Sequence, residues 1–260
     1  MHTRARDIAE WLKDRVSAAG SRGIVVGLSG GIDSAVVVGL SAMAMPGRVV
    51  GVMLPCHSDP QDRIDAQIAA DHFKVPAITI DLAPAYDTLL SDLRKAVSTL
   101  PREQQPVAIA DEVDIRMRVP VANVKPRLRM TSLYFIANSL NYLVAGTGNR
   151  SEITLGYYTK YGDGGCDVLP IGALLKSEVR SLAKELSVPK AIIEKAPSAG
   201  LWIGQTDEAE MGFTYDTLEK YLTEGPSAVP KETADRIEQL RNASNHKRAL
   251  PPIPPAELLS

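Results

Sequence analysis

The sequence predicts an α/β protein: a doubly wound, mostly parallel sheet flanked by helices. Three observations carry that prediction. Short runs of β-branched and aliphatic residues alternate with longer amphipathic stretches up to Ala145. The runs are too short for helices, and the segments between them are long enough to be crossover helices joining parallel strands. A glycine-rich turn, Ser29-Gly30-Gly31, connects the first run to an apolar helical pattern. In open sheets of this kind, ligands bind beyond the carboxyl ends of the strands, where that turn falls.

The elements follow in order. Residues 4–19 read as an amphipathic helix with Ile8, Trp11, Leu12 and Val16 on one face, Trp11 as a core anchor, and Gly20 as its end. Ile24 to Val26 starts the first strand, and the helix after the turn stops at Pro46-Gly47. Val49 to Leu54 is a second strand and Asp62 to Phe73 a second crossover helix; Ala77 to Leu82 and Ala85 to Leu100 repeat the pattern. Residues 101–120 carry three prolines and read as a loop or short excursion. The spacing then predicts a helix over 121–140, with Pro126 in its first turn, where a missing N–H costs little. Tyr142 to Ala145 is a fourth strand. From Asn149 to Lys176 a long polar, aromatic and Gly-rich segment reads as a functional loop. Helices follow over Lys176 to Leu186, 207–222 and 230–244, with a loop at 196–206 that offers Trp202.

Bulk properties exclude several classes. The chain has 260 residues, 45% hydrophobic and 23% charged, with a net charge of −2, so no general basic field is present for nucleic acid. Charges scattered over residues 4–15 rule out a signal h-region, and no run is long and apolar enough to span a membrane. Cys56 and Cys166 lie far apart without a CxxC, which argues against a disulfide framework and suits a reducing, cytoplasmic setting.

The turn carries the chemistry. Ser29, Gly30 and Gly31 can present consecutive backbone N–H groups to an anion, and the helix behind them aims its positive dipole end at the same place. Asp33 beside that anion suggests a metal ion arriving with it. No Gly-Lys pair occurs anywhere in the chain, so this is not a Walker-A loop. The string Ser29-Gly-Gly-Ile-Asp-Ser34 resembles instead the pyrophosphate loop of the ATP pyrophosphatase superfamily, whose members cleave ATP to AMP and pyrophosphate.

Further motifs narrow the resemblance to the ammonia-dependent NAD synthetase family. They are Asn123-Val-Lys-Pro-Arg-Leu-Arg-Met130, Gly146-Thr147 with Glu152, Thr159-Lys-Tyr-Gly-Asp-Gly-Gly165 with Asp167, Pro197-Ser198, Gly212-Phe-Thr-Tyr-Asp216 and His246-Lys-Arg248, in the family's order. The resemblance covers nearly the whole chain from about residue 20, as one synthetase domain over 1–260 without a glutaminase domain. It implies ATP-dependent amidation of deamido-NAD by ammonia through an acyl-adenylate. It implies Mg²⁺ on Asp33 and Glu152, and ATP on Gly27, Leu28, Ser29, Gly30, Gly31, Ile32, Asp33, Ser34, Thr147, Lys176 and Ser198. Deamido-NAD falls to Arg127, Lys160, Asp167, His246 and Lys247, and the catalytic group comprises Asp33, Glu152, Lys176 and Asp167. A cytoplasmic homodimer, joined partly through helix 121–140, completes the implication.

The chain departs from the family pattern in places. Met53 stands where an Arg often precedes Leu-Pro, Cys56-His57 replaces Tyr-Gly, and Cys166 replaces Ala and reads as a small filler. Two rivals remain at the level of sequence: another ATP pyrophosphatase ligase, and a non-catalytic adenine-nucleotide sensor on the same scaffold.

Overall fold

The computed structural model describes residues 3–105, 115–196, 206–255 and Leu258. Four strands form one parallel sheet: β1 (Ile24–Gly27), β2 (Val49–Met53), β3 (Ala77–Thr79) and β4 (Leu143–Ala145), in the order β3-β2-β1-β4. Register is set by Ile24 opposite Val49 on one side and Leu143 on the other, and by Gly51 opposite Ala77. The chain runs outward from β1 through β2 to β3, then returns to place β4 on the far side of β1. That reversal is a topological switch point, and it opens a crevice at the carboxyl ends of β1 and β4.

Helices cover both faces, as the alternation predicts. They are α1 (Arg4–Ala18), α2 (Ile32–Ala44), α3 (Pro60–His72), α4 (Ala83–Ser98), α5 (Ile115–Ala122), α6 (Val124–Leu140), α7 (Arg150–Leu155), α8 (Lys176–Glu185), α9 (Lys190–Ile193), α10 (Asp207–Met211), α11 (Tyr215–Glu224) and α12 (Lys231–Ala243). The period-2 alternation of β1 divides the core. Ile24 and Val26 join α1, α2, α8 and α9 in one apolar cluster, whereas Val25 joins α4 and α6 in the other. A third cluster, built from Leu155, Met211, Phe213, Tyr215, Leu218 and Ile237, fastens α10–α12 to α7.

Four expectations are corrected. Trp11 is 41% exposed, and α1 buries Ala5, Ala9, Leu12 and Val16 instead. Two alanines supply that stripe because they let α1 lie close against α2, a role that hydrophobicity alone does not reveal. Within 101–120, residues 115–120 belong to α5; Pro120 inside it removes one donor but does not end the helix, since Asn123 N–H still bonds the Val119 carbonyl at 2.9 Å. The segment 149–176 contains α7, nucleated by a capping box between Asn149 and Glu152. Finally, 207–222 is two helices: Gly212, at φ +85°, ends α10 and Thr214 caps α11. Pro126 falls in the first turn of α6 as predicted.

The Trp11 correction is measurable. Leu12→Ala removes a fully buried side chain and is expected to cost about 2–5 kcal/mol in urea unfolding, with Trp11→Ala costing less than half as much.

Candidate active site

The phosphate-type loop is held in shape by its own polar groups. Leu28 N–H bonds the Val52 carbonyl at 2.8 Å, extending β1 by one residue. The Ser34 hydroxyl donates to the Gly31 carbonyl at 2.9 Å and accepts from Ser29 N–H at 3.3 Å, while the Ser29 hydroxyl accepts from Gly31 N–H at 3.3 Å. Gly30 adopts φ +80°, and a Cβ there would lie 2.3 Å from the Asp62 carbonyl oxygen, so α3 packs directly on the loop. Gly31 is the N-cap of α2 and offers no side chain to the first-turn N–H groups. Leu28 and Ile32 turn their side chains into the core, leaving their backbone to the loop.

One residue further on, Asp33 enters a charged cluster. Its Oδ2 meets Lys176 Nζ at 2.5 Å and its Oδ1 accepts from Asn149 Nδ2 at 3.0 Å. Glu152 Oε1 lies 3.5 Å from the same ammonium. Asn149 is the keystone of the β4 side: its Oδ1 accepts from Glu152 N–H and its own N–H donates to Glu152 Oε2, each at 3.1 Å. Lys176 is 2% exposed at the first position of α8. Burial and the neighbouring Asp33 push the Glu152 carboxyl up to about 8. Burial works against the Lys176 charge, but Asp33 and Glu152 outweigh it and raise its pKa above the usual lysine value. Asp33 from α2, Glu152 from α7 and Lys176 from α8 thus converge across the switch point, with Thr147 in the loop that leaves β4.

A second group of predicted residues gathers beside α7. Arg127 Nη2 bonds the Lys160 carbonyl at 3.4 Å, and Lys160 Nζ bonds the His246 carbonyl at 2.5 Å. Lys247 Nζ caps the end of α7, donating to the Gly156 and Tyr158 carbonyls at 2.6 Å each. Asp167 stands apart: Oδ1 accepts from Tyr134 OH at 2.9 Å and Oδ2 from Val144 N–H at 2.8 Å, which fixes the carboxylate to α6 and β4. Ser198, Pro197 and Trp202 lie outside the described residues. Just before them, Lys195 bonds Asp62 and Asp65 of α3 at 2.8 and 2.5 Å.

The departures from the family pattern are resolved by packing. Met53 is buried, and the guanidinium at this strand end belongs to Arg129, which bonds the Leu54 carbonyl and Ser58 Oγ, each at 3.1 Å. Cys56 is buried, while His57 pairs with Asp87 of α4 at 2.7 Å. Cys166 packs on Gly146, where a Cβ would come within 2.5 Å of its sulfur, and burial pushes its thiol up to about 11, the state of a filler and not a nucleophile. Asn149 and Arg129 are the site residues that motif reading missed. The signal for Asn149 was present as Asn149-Arg-Ser-Glu152, the spacing of a capping box.

A parallel sheet with a Ser-Gly-Gly-x-Asp-Ser loop at its switch point and a carboxylate–lysine cluster behind it defines an ATP pyrophosphatase-type protein. The model of the NAD synthase family matches residues 4–251. The chain is 46% identical over 247 residues to the NH(3)-dependent NAD(+) synthetase of Carboxydothermus hydrogenoformans, covering 95% of each protein. It is 44% identical to the enzyme of the same name from Alkaliphilus metalliredigens, covering 95% of this chain and 96% of that one. Among solved structures, the NMN synthetase from Francisella tularensis superposes with a TM-score of 0.85 at 37% identity, covering 96% of this chain and 97% of the other. The NH3-dependent NAD synthetase from Campylobacter jejuni subsp. jejuni NCTC 11168 superposes with a TM-score of 0.75 at 26% identity, covering 97% of each. The chain belongs to the NAD synthase family.

Gly30→Ala tests the loop. The added Cβ meets a backbone oxygen and the φ is unfavourable, so the variant is expected to melt lower and to lose most of its stabilisation by ATP in a thermal-shift titration.

Proposed function

We propose that this chain joins ammonia to the carboxylate of deamido-NAD, consuming ATP and releasing AMP and pyrophosphate. The observation that carries the reading is the convergence of Asp33, Glu152 and Lys176 behind the Ser29–Ser34 loop, in a chain of this family.

The residues suit adenylation without a covalent enzyme intermediate. The loop N–H groups and the α2 terminus receive phosphate oxygens, and Lys176 supplies a positive charge to the same oxygens. Binding of this kind lines up the acid's carboxylate with the α-phosphorus, which is positional and electrostatic work. Arg127, Lys160, His246 and Lys247 bind the dinucleotide. Asp167, exposed and oriented by Tyr134 and Val144 N–H, keeps acceptor capacity on both oxygens for that substrate. Ammonia then attacks the acyl-adenylate, and AMP leaves.

Asp33 and Glu152 fit a Mg²⁺ ion. They are two carboxylates of hard oxygen character that converge on one ammonium. Bound there, the ion would supply charge neutralisation for the departing pyrophosphate. Among the described residues no third His, Cys, Asp or Glu completes a protein-only site, so phosphate oxygens and water would complete the coordination.

The relatives named NH(3)-dependent match this chain over nearly their full length, which supports free ammonia as the nitrogen donor and a single synthetase domain. Phe135, 74% exposed on α6, supports that helix as part of a homodimer contact. No described helix is long and apolar enough to cross a membrane. The superposition on the Francisella NMN synthetase, better than that on the Campylobacter enzyme, motivates one second reading, in which the acid mononucleotide is the acceptor and the carboxylate chemistry is unchanged.

One assay separates these readings. The purified chain with ATP, Mg²⁺ and ammonium is given either acid, and amide, AMP and pyrophosphate are quantified. The dinucleotide is expected to yield NAD with equimolar AMP and pyrophosphate, and glutamine is expected not to replace ammonium. Stoichiometric ADP would falsify the reading, and faster turnover of the mononucleotide would select the second one. Asp33→Ala is expected to lower kcat by orders of magnitude with unchanged far-UV circular dichroism. Sedimentation at micromolar concentration is expected to give twice the chain mass.

A further inference from the structure

Helix α11 grips the start of α8 at two points, and Lys176 stands between them. The Tyr215 ring lies under the ammonium, with Nζ 5.2 Å from its centroid. Four residues on, Glu219 Oε1 accepts the Ser177 N–H at 2.8 Å, fixing the backbone next to Lys176. Residues four apart share one helix face, so a single surface of α11 holds both the side chain and the backbone of this position. Tyr215 and Glu219 are both buried.

Tyr215 is itself held. Its hydroxyl donates to Asp207 Oδ2 at 2.8 Å and its N–H to Glu208 Oε1 at 2.9 Å. Asp207 is 4% exposed, and its other oxygen has no hydrogen-bond partner among the described residues. Asp207 therefore holds the hydroxyl end of the ring and fixes the orientation of its face toward Lys176. The ring face attracts a cation without offering a lone pair. It steadies the ammonium yet leaves its N–H donors for Asp33 and for phosphate, which a third carboxylate in contact would not do.

We infer that Tyr215 and Glu219 are positioning residues that hold the Lys176 ammonium at the phosphate loop for ATP. The inference rests on the ATP-dependent reading of this site and assigns a task to α11, which the substrate-binding and metal-binding residues leave unassigned.

The test measures KM for ATP and for the acid dinucleotide separately, with ATP affinity by calorimetry in the absence of the acid. Tyr215→Leu keeps bulk but removes the ring face, and is expected to raise the ATP KM by about tenfold with the dinucleotide KM unchanged. Tyr215→Phe restores the face and is expected to recover most of the ATP affinity. Glu219→Ala is expected to follow Tyr215→Leu, and Glu219→Gln, which keeps an acceptor for Ser177, to recover. An unchanged ATP KM in Tyr215→Leu, equal impairment of Tyr215→Phe, or a parallel rise in both KM values overturns the inference. Should Tyr215→Leu not fold, the Glu219 pair decides by the same criteria. Should the wild-type chain amidate neither acid, the functional reading fails, and calorimetry with ATP alone still decides whether the ring face matters.

Discussion

Everything near the crevice depends on one buried ammonium, that of Lys176, held among carboxylates from different parts of the chain. A lysine that is 2% exposed is stable only if its charge is met, and Asp33 and Glu152 meet it. Burial first, and the neighbouring Asp33 second, make Glu152 hold its proton more tightly than an ordinary glutamate, with Lys176 opposing both. The cluster therefore ties α2, α7 and α8 together by mutual necessity.

The sheet decides where this cluster forms. Because β4 pairs with β1 on the side opposite β2, the loops leaving β1 and β4 diverge and open a gap at the strand ends. Asn149 bridges that gap, bonding Asp33 on one side and capping α7 on the other. The helical appendage of α10–α12 then closes the cluster from behind. Its tail turns back over α7, where Arg248 bonds the Ile153 and Thr154 carbonyls of the last turn and Lys247 the Gly156 and Tyr158 carbonyls just beyond it. A basic tail segment is thereby fixed beside Arg127 and Lys160, and a set of cations remote in sequence becomes one surface.

Much of this was legible in advance, for a physical reason in each case. The strands could be read because a strand buried on both faces needs a short apolar run rich in β-branched residues, as at Ile24–Val26 and Val49–Met53. The phosphate loop could be read because only glycine tolerates the backbone at Gly30, and the motif residues because their chemistry is tied to fixed spacing. Helix boundaries were less legible. Gly212 is neutral in a helical pattern until the structure shows it left-handed, and Ala5 and Ala9 count as weakly apolar although close helix contact favours them over Trp11.

The sequence by itself determined the parallel α/β class, the anion loop and the inventory of charged groups, since these follow from local periodicity, backbone permissiveness and residue type. Only the tertiary structure decided which of those groups meet. Asp33 and Lys176 are 143 positions apart, and no local rule pairs them. It also decided that Tyr134 and Val144 N–H orient the Asp167 carboxylate, that Arg129 stands at the strand end where Met53 carries no charge, and that Tyr215 lies beneath the lysine. Those relations depend on strand order and helix packing, which are set by the summed burial of the whole chain and not by any one segment of it.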